Sequence, residues 1–276
     1  MTLAGKTILM SGGSRGIGLA IALRAAADGA NIAMLAKTDT PHPKLEGTIH
    51  TAAEEIRAAG GNALAIVGDV RSDDDIASAV EQTRAEFGGI DIVVNNASVI
   101  DLSRTLDLEP KKYDLMQDVN VRGTFMLSRA ALPLLQQAEN PHILSLSPPL
   151  NITPNWLGAH TGYTLAKYGM TMVTLGLAAE FADSGVAANT LWPATTIATA
   201  AVQNLLGGDK VMAASRTPAV YADAAYAVLT KPAASFSGHT LIAEDVLAAE
   251  GVTDFSGYAA VPGTPDDRLF PDIFLN

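Results

Sequence analysis

The stretch that most limits how this chain can fold is residues 7–28, TILMSGGSRGIGLAIALRAAAD. It opens on the apolar run Ile8-Leu9-Met10, turns through Ser11-Gly12-Gly13-Ser14-Arg15-Gly16-Ile17-Gly18, and continues as an Ala/Leu/Ile-rich helical pattern. A short apolar run bounded by glycine reads as a buried strand. Gly12, Gly16 and Gly18 are spaced G-x-x-x-G-x-G between that strand and the helix. A helix start carries unpaired N–H groups and a partial positive charge, so such a junction is an anion site. Glycine lets the backbone bend there and lets a pyrophosphate approach without meeting a Cβ. Glycine clusters also make ordinary tight turns. The strand before and the helix after favour the nucleotide reading.

The same alternation continues along the chain. Further strands are predicted at residues 31–36, 63–67, 90–94, 142–146, 186–192 and 240–243. Helices are predicted near 51–59, 73–87 with Ser72 as N-cap, 111–137 and 161–183. Strands alternating with helices predict an α/β fold, a doubly wound parallel sheet of about seven strands with helices on both faces. Ligands in such sheets bind beyond the carboxyl ends of the strands, where the winding reverses. No repeat, low-complexity tract or linker divides the sequence. Residues 1–276 are expected to form one domain, with 248–276 as a Gly-, Pro- and Asp-rich tail packed on it as loops.

Composition removes several function classes. The net charge is −11, which repels phosphate backbones and argues against nucleic acid as a partner. There are no cysteines, hence no disulfide, thiol nucleophile or Cys-based zinc site. His42, His50, His142, His160 and His239 are scattered, so no metal site is expected. No run approaches the roughly 18 apolar residues of a membrane span. No signal peptide is expected, because the sequence runs at once into its first strand, and a cytoplasmic protein follows as the default.

The residues that carry chemistry follow the predicted strands. NAD selection usually places a carboxylate at the end of the second strand. Here Leu35-Ala36-Lys37-Thr38 has none, and Arg15 stands within the glycine turn. Two cations suit a 2′-phosphate and favour NADP over NAD; two solvated surface cations are the plain alternative. His42 and Lys44 could close over the adenosine. Asp69 can accept from an adenine amino group while the backbone of Val70 helps fix the ring, or it can simply cap a helix. Asn95-Asn96-Ala97-Ser98 can brace the sheet and approach a ribose, or form a polar turn. Tyr163 and Lys167, at i and i+4, share a helix face. An ammonium beside a phenol lowers its pKa from near 10, and its spare donors can reach a ribose hydroxyl. That makes an acid/base group for a nicotinamide site.

Taken in order and spacing, the glycine turn, Asp69, Asn95-Asn96-Ala97, Asn120, Tyr163/Lys167 and Pro193 resemble the short-chain dehydrogenase/reductase family over essentially the whole length. A closer resemblance, to the hydroxysteroid dehydrogenase-like protein 2 group, rests on Lys37-Thr38, residues 41–45, Ser147-Pro148-Pro149-Leu150-Asn151 and Leu191-Trp192-Pro193. Longer members of that group carry a C-terminal sterol-carrier domain, which this sequence is too short to include. The resemblance implies a Rossmann fold and an NAD(P) site at Ser11, Gly12, Ser14, Arg15, Gly16, Ile17, Gly18, Lys37, Asp69, Val70, Asn96, Ala97 and Pro193. It implies Tyr163 as proton donor or acceptor, Lys167 on the ribose, and Asn120 in a water-mediated relay. The family's catalytic serine falls about thirteen residues before the tyrosine, where this chain has Leu150; alignment from the fifth strand puts Pro148 there instead. Ser147 fills the role only if the loop is longer; otherwise Asn151 or a water must polarise the carbonyl.

The expected function is an NADP-dependent oxidoreductase interconverting a carbonyl and an alcohol on an apolar small molecule. The alternative is a weakly active or inactive dinucleotide-binding sensor on the same scaffold. Leu150, Asn151, Ile152, Trp156, His160, Trp192, Ile197 and Met212 are the candidate pocket. His160 is either a second proton-transfer group or an ordinary loop histidine. Residues 124–135 and 165–179 are apolar on more than one face, which with the family resemblance implies a homodimer or homotetramer.

Overall fold

The computed structural model describes residues 1–41 and 47–275. His42 and Lys44 lie outside the described residues. The first half of the chain runs β1 (Thr7–Ser11), α1 (Gly16–Ala26), β2 (Asn31–Ala36), α2 (Ile49–Ala58), β3 (Asn62–Val67), α3 (Asp73–Phe87), β4 (Ile92–Asn95), α4 (Pro110–Met116), α5 (Gly123–Leu135) and β5 (His142–Ser145). It continues through α6 (Pro154–Ala159), α7 (Thr161–Glu180), β6 (Ala187–Trp192), α8 (Ala200–Leu205), α9 (Gly208–Ala213), α10 (Pro218–Leu229), β7 (Thr240–Ile242) and α11 (Ala243–Ala249). The seven strands form one sheet in the order β3-β2-β1-β4-β5-β6-β7, and every pairing is parallel. The winding reverses between β1 and β4, as expected of a doubly wound sheet.

Strand periodicity builds the two cores. Ile8, Met10, Ile32 and Met34 face α1, α2 and α10, while Leu9, Ala33, Leu35 and Val93 face α3, α5 and α7. Both sheet faces are therefore dry, which is why these strands read as continuous apolar runs. Ser72 accepts from the Asp75 amide at the start of α3, and Gly88 ends that helix in the left-handed region at φ 88°.

Two differences from the sequence pattern bear on the site. The predicted helix over 111–137 is interrupted by a π-helical turn at Gln117–Arg122 between α4 and α5. Between Pro193 and His239 the pattern alone predicts no element, yet α8, α9 and α10 form there. In α10, PAVYADAAYAVL is apolar on most faces and shows no clean stripe; it is buried against α1 and α11. Among the described residues no helix is long and apolar enough to cross a membrane, and no group of three or more His, Asp or Glu side chains could hold a metal ion.

His142, at the start of β5, is buried, with Nε2 3.0 Å from the Lys231 carbonyl. Burial pushes its imidazole down to about 4 from an ordinary 6.5. The native state keeps it neutral, whereas the unfolded chain takes up a proton below 6.5. The stability it contributes is thus present above pH 6.5 and is lost as pH falls to about 4, at most about 3 kcal/mol. His142→Gln should flatten the fall in melting temperature between those pH values; an equally steep fall in the variant would exclude His142 as its cause.

Candidate active site

The glycine turn leaves β1 at the switch point, and the end of β4 holds it. Asn96 Nδ2 donates to the Ser11 carbonyl at 3.0 Å and to the Gly12 carbonyl at 2.5 Å. Ser11 Oγ accepts from the backbone N–H groups of Asn96 and Ala97 at 3.2 and 3.1 Å. Gly12 has φ +75°, and a Cβ on Gly18 would lie 2.6 Å from Asn96 Nδ2 and 2.7 Å from the Gly12 carbonyl oxygen. Glycine is needed at these two positions for packing of the turn. Gly16 is left-handed at φ +58°, and a Cβ there would be in ordinary contact with Thr199 at 3.6 Å.

Helix α1 begins at this turn with Arg15 in an extended conformation, no side-chain cap and no acidic residue in its first turn. By contrast, Thr48 caps α2 and Ser72 caps α3. The first N–H groups of α1 therefore remain for an anion. Ser14 is buried beside them and Ile17 is partly buried. Arg15 Nη2 donates to the Gly47 carbonyl at 2.9 Å, and its Nε is buried without a partner among the described residues.

At the ends of β2 and β3, Lys37 pairs with Asp69 at 3.0 Å, and Arg71 grips the same carboxylate through Nη2 at 2.6 Å and Nε at 2.9 Å. These cations hold the Asp69 carboxyl well below the usual carboxylate range, the Arg71 bonds most of all. Both carboxylate oxygens are thus engaged before any base arrives. Val70 is buried against Gly123.

The π-helical turn presents Asn120, which is buried. Its Oδ1 accepts from the Val99 amide at 2.8 Å, and its Nδ2 donates to the Val99 carbonyl at 3.0 Å. The side chain mimics a strand partner for the loop after β4. That bond pattern accounts for an asparagine in a helical segment, and the wider turn gives it room.

Tyr163 and Lys167 lie one turn apart on α7, both buried at 4% exposure. Lys167 Nζ donates to the Leu146 carbonyl at 2.9 Å, just beyond β5. The Trp192 ring, at the end of β6, is 5.3 Å from the same ammonium. Pro193 follows, also buried. Burial pushes the Tyr163 phenol above its usual range and the Lys167 ammonium down to about 7. The expected lowering of the phenol by its neighbour is absent in this state: desolvation and the nearby Asp272 carboxylate both raise it. Ser147 is fully buried and its Oγ accepts from Thr171 at 2.9 Å, two turns beyond Tyr163 on α7. The structure brings Ser147 to Thr171; it shows no hydrogen bond between Ser147 and Tyr163. The Asn151 side chain accepts from Thr153 and donates to the Phe274 carbonyl.

Of the candidate pocket residues, Ile152 and Leu150 are exposed, and Ile197 joins the core under the sheet. Trp156, His160 and Trp192 do converge, on a side chain that no motif marks, Phe274. Its ring is fully buried and stacks on Tyr163, with centroids 6.0 Å apart and planes 24° from parallel. Two residues earlier, burial pushes the Asp272 carboxyl up to about 7, near Lys167. The one signal for this segment is the apolar Ile273-Phe274-Leu275 cluster after a polar stretch.

The short chain dehydrogenase family model matches residues 6–208. The chain belongs to the short-chain dehydrogenase family. It is therefore an enzyme of a family of NAD(P)-using oxidoreductases. It is 55% identical over 274 residues to hydroxysteroid dehydrogenase-like protein 2 of Danio rerio, covering 99% of this chain and 65% of that protein. The human protein of the same name is 52% identical with similar coverage, 99% and 64%. The chain thus spans less than two thirds of the length of these curated relatives. A solved structure from Xanthomonas campestris is 58% identical with TM-score 0.96 over 100% of both chains. A short-chain dehydrogenase from Mycobacterium thermoresistibile is 57% identical with TM-score 0.94, covering 100% of this chain and 96% of that one. Phe274 lies outside the span of the family model.

The tight packing at Gly18 yields a test. Gly18→Ala should lower the melting temperature and weaken dinucleotide binding at least about tenfold, a cost of about 1.4 kcal/mol or more. Unchanged titration of NADPH into the folded variant would show that Asn96 and the turn can give way.

Proposed function

We propose that the protein is an NADP-dependent oxidoreductase that interconverts a carbonyl and an alcohol on an apolar small molecule, with Tyr163 as the acid/base. One observation carries this reading. Tyr163 and Lys167 sit a turn apart on α7, both buried, with the ammonium anchored on the backbone at the carboxyl end of β5. That edge of the sheet is also where the uncapped start of α1 opens.

The residues suit a dinucleotide. Gly12, Ser14, Arg15, Gly16, Ile17 and Gly18 would hold its phosphates, with Ser11, Asn96, Ala97, Val70 and Pro193 shaping the groove beside them. Bound there, it supplies or accepts a hydride. Lys37 and Arg71 stand against the Asp69 and Asp75 carboxylates, which cancel them, and Arg15 adds a positive charge. That local field attracts a 2′-phosphate despite the chain's overall −11.

The chain's own groups then divide the work. The Tyr163 phenol, kept protonated at neutral pH by burial, gives its proton to a carbonyl oxygen in the reducing direction. Lys167 donates to the Leu146 carbonyl and to Met170 Sδ, which leaves one ammonium donor for the phenol oxygen or a ribose hydroxyl. Asn120 holds the Val99 loop in place. Ser147 accepts from Thr171 and keeps its own O–H as a donor.

NADPH should bind wild type and Tyr163→Phe alike and more tightly than NADH, while ketone- or aldehyde-dependent oxidation of NADPH should fall at least about a hundredfold in the variant. Equal rates in the two proteins would end the catalytic reading. Tight binding with no turnover on any carbonyl would favour the sensor.

A homo-oligomer is part of the same proposal. Phe125 on α5, and Leu165 and Met172 on α7, are 44%, 52% and 65% exposed, a large apolar display for two packed helices. Light scattering should give a multiple of 28.6 kDa; a monomer would refute the assembly.

A further inference from the structure

The C-terminal segment enters the proposed site, and its placement bears on what that site binds. Phe274 lies 5.1 Å from the ring of Tyr168, 5.9 Å from Trp156, 6.0 Å from Tyr163, 6.1 Å from Trp192 and 6.3 Å from His160. These rings come from α6, α7, the junction between them and the end of β6. They make an aromatic cage against one face of Tyr163.

The cage matches its present occupant imperfectly. Trp156 Nε1 and His160 Nε2 are buried with no hydrogen-bond partner among the described residues. A buried polar group without a partner is costly, and a phenyl ring offers none. The indole N–H can only donate, so it calls for an acceptor; the imidazole nitrogen can take either role. The backbone is also strained at this point. Phe274, at φ +73°, is the non-glycine residue with positive φ among those described, a conformation disfavoured for a bulky side chain. Besides the apolar packing of Ile273, Phe274 and Leu275, the seat is held by Asp272 N–H to the Ala194 carbonyl at 2.9 Å, Trp192 Nε1 to the Ile273 carbonyl at 3.1 Å, and Asn151 Nδ2 to the Phe274 carbonyl at 3.0 Å.

We infer that this cage is the substrate-recognition pocket for an aryl carbonyl or alcohol whose flat ring bears a second oxygen acceptor, and that residues 271–275 fill it as a displaceable plug. The ring would take the place of Phe274 against Tyr163, with the reacting oxygen at the phenol and the second oxygen meeting Trp156 and His160. This deepens the proposed function and rests on Tyr163 being the acid/base. Seating the plug also explains why Tyr163 and Lys167 are desolvated in this state.

The protein has two tryptophans, Trp156 and Trp192, and both belong to the cage, so selectively excited tryptophan fluorescence reports on it. Without dinucleotide, acetophenone should quench Phe274→Ala at about a tenth or less of the concentration needed for wild type, since a competing closed state no longer lowers the apparent affinity. Cyclohexanone, a carbonyl without a flat ring, should show a smaller gain. In the Phe274→Ala background, Trp156→Phe should weaken binding of 4-hydroxyacetophenone, which carries a second oxygen, severalfold. A folded Phe274→Ala protein that binds acetophenone no more tightly than wild type would make Phe274 a fixed wall and overturn the inference.

Should that variant fail to fold, hydrogen exchange on the wild type decides. Saturating acetophenone should strip protection from the Asp272 amide; retained protection overturns the plug. These readouts need no turnover. A Tyr163→Phe protein as active as wild type would sink the proposed function and with it the cage's role in substrate recognition, whereas an unchanged Phe274→Ala affinity beside an inactive Tyr163→Phe protein would sink the cage alone.

Discussion

The site depends first on the Asn96 side chain, which donates to the carbonyls of Ser11 and Gly12 across the switch point of the sheet. The connections from the parallel, paired strands β1 and β4 lead to opposite sides of the sheet, which opens a crevice beyond their carboxyl ends. Ser11 returns the contact by accepting two N–H groups from the end of β4. With both strand ends tied, the turn cannot relax away from the start of α1, and the free N–H groups of that helix stay aimed past the sheet. The closeness of Gly12 and Gly18 to Asn96 is a consequence of the same tie.

The neighbouring strands repeat the device with other chemistry. Lys167 reaches the backbone beyond β5, and Trp192 at the end of β6 covers the ammonium. Asn120 braces the loop after β4 from a π-helical turn. Each is a long-range link between a helix and a strand end. Together they make the carboxyl edge of the sheet the place where polar groups are buried, while the strands themselves are enclosed by apolar layers. Desolvation is the common result, raising the phenol and lowering the ammonium.

Much of this was legible because it is local. The strand–turn–helix at the start, the Ser72 cap of α3 and the i, i+4 relation of Tyr163 and Lys167 are short-range patterns, and the structure has each of them. The pattern was mute where burial is on all sides, as in α10, or where a helix changes its winding, as at Gln117–Arg122. It also could not tell that the Asp69 carboxylate is spent on Lys37 and Arg71, since ion pairing depends on how neighbouring strand ends are placed.

The order of apolar runs and glycines by itself determined a doubly wound parallel sheet with a glycine turn between its first strand and first helix, because strand and helix periodicity and glycine's backbone freedom are properties of adjacent residues. Only the tertiary structure decided that Ser147 turns to Thr171 and that Phe274 lies on Tyr163 inside a ring of aromatic side chains. Those contacts join segments far apart in the chain, and their energy comes from excluding water between surfaces that exist only after the sheet and its helices have closed.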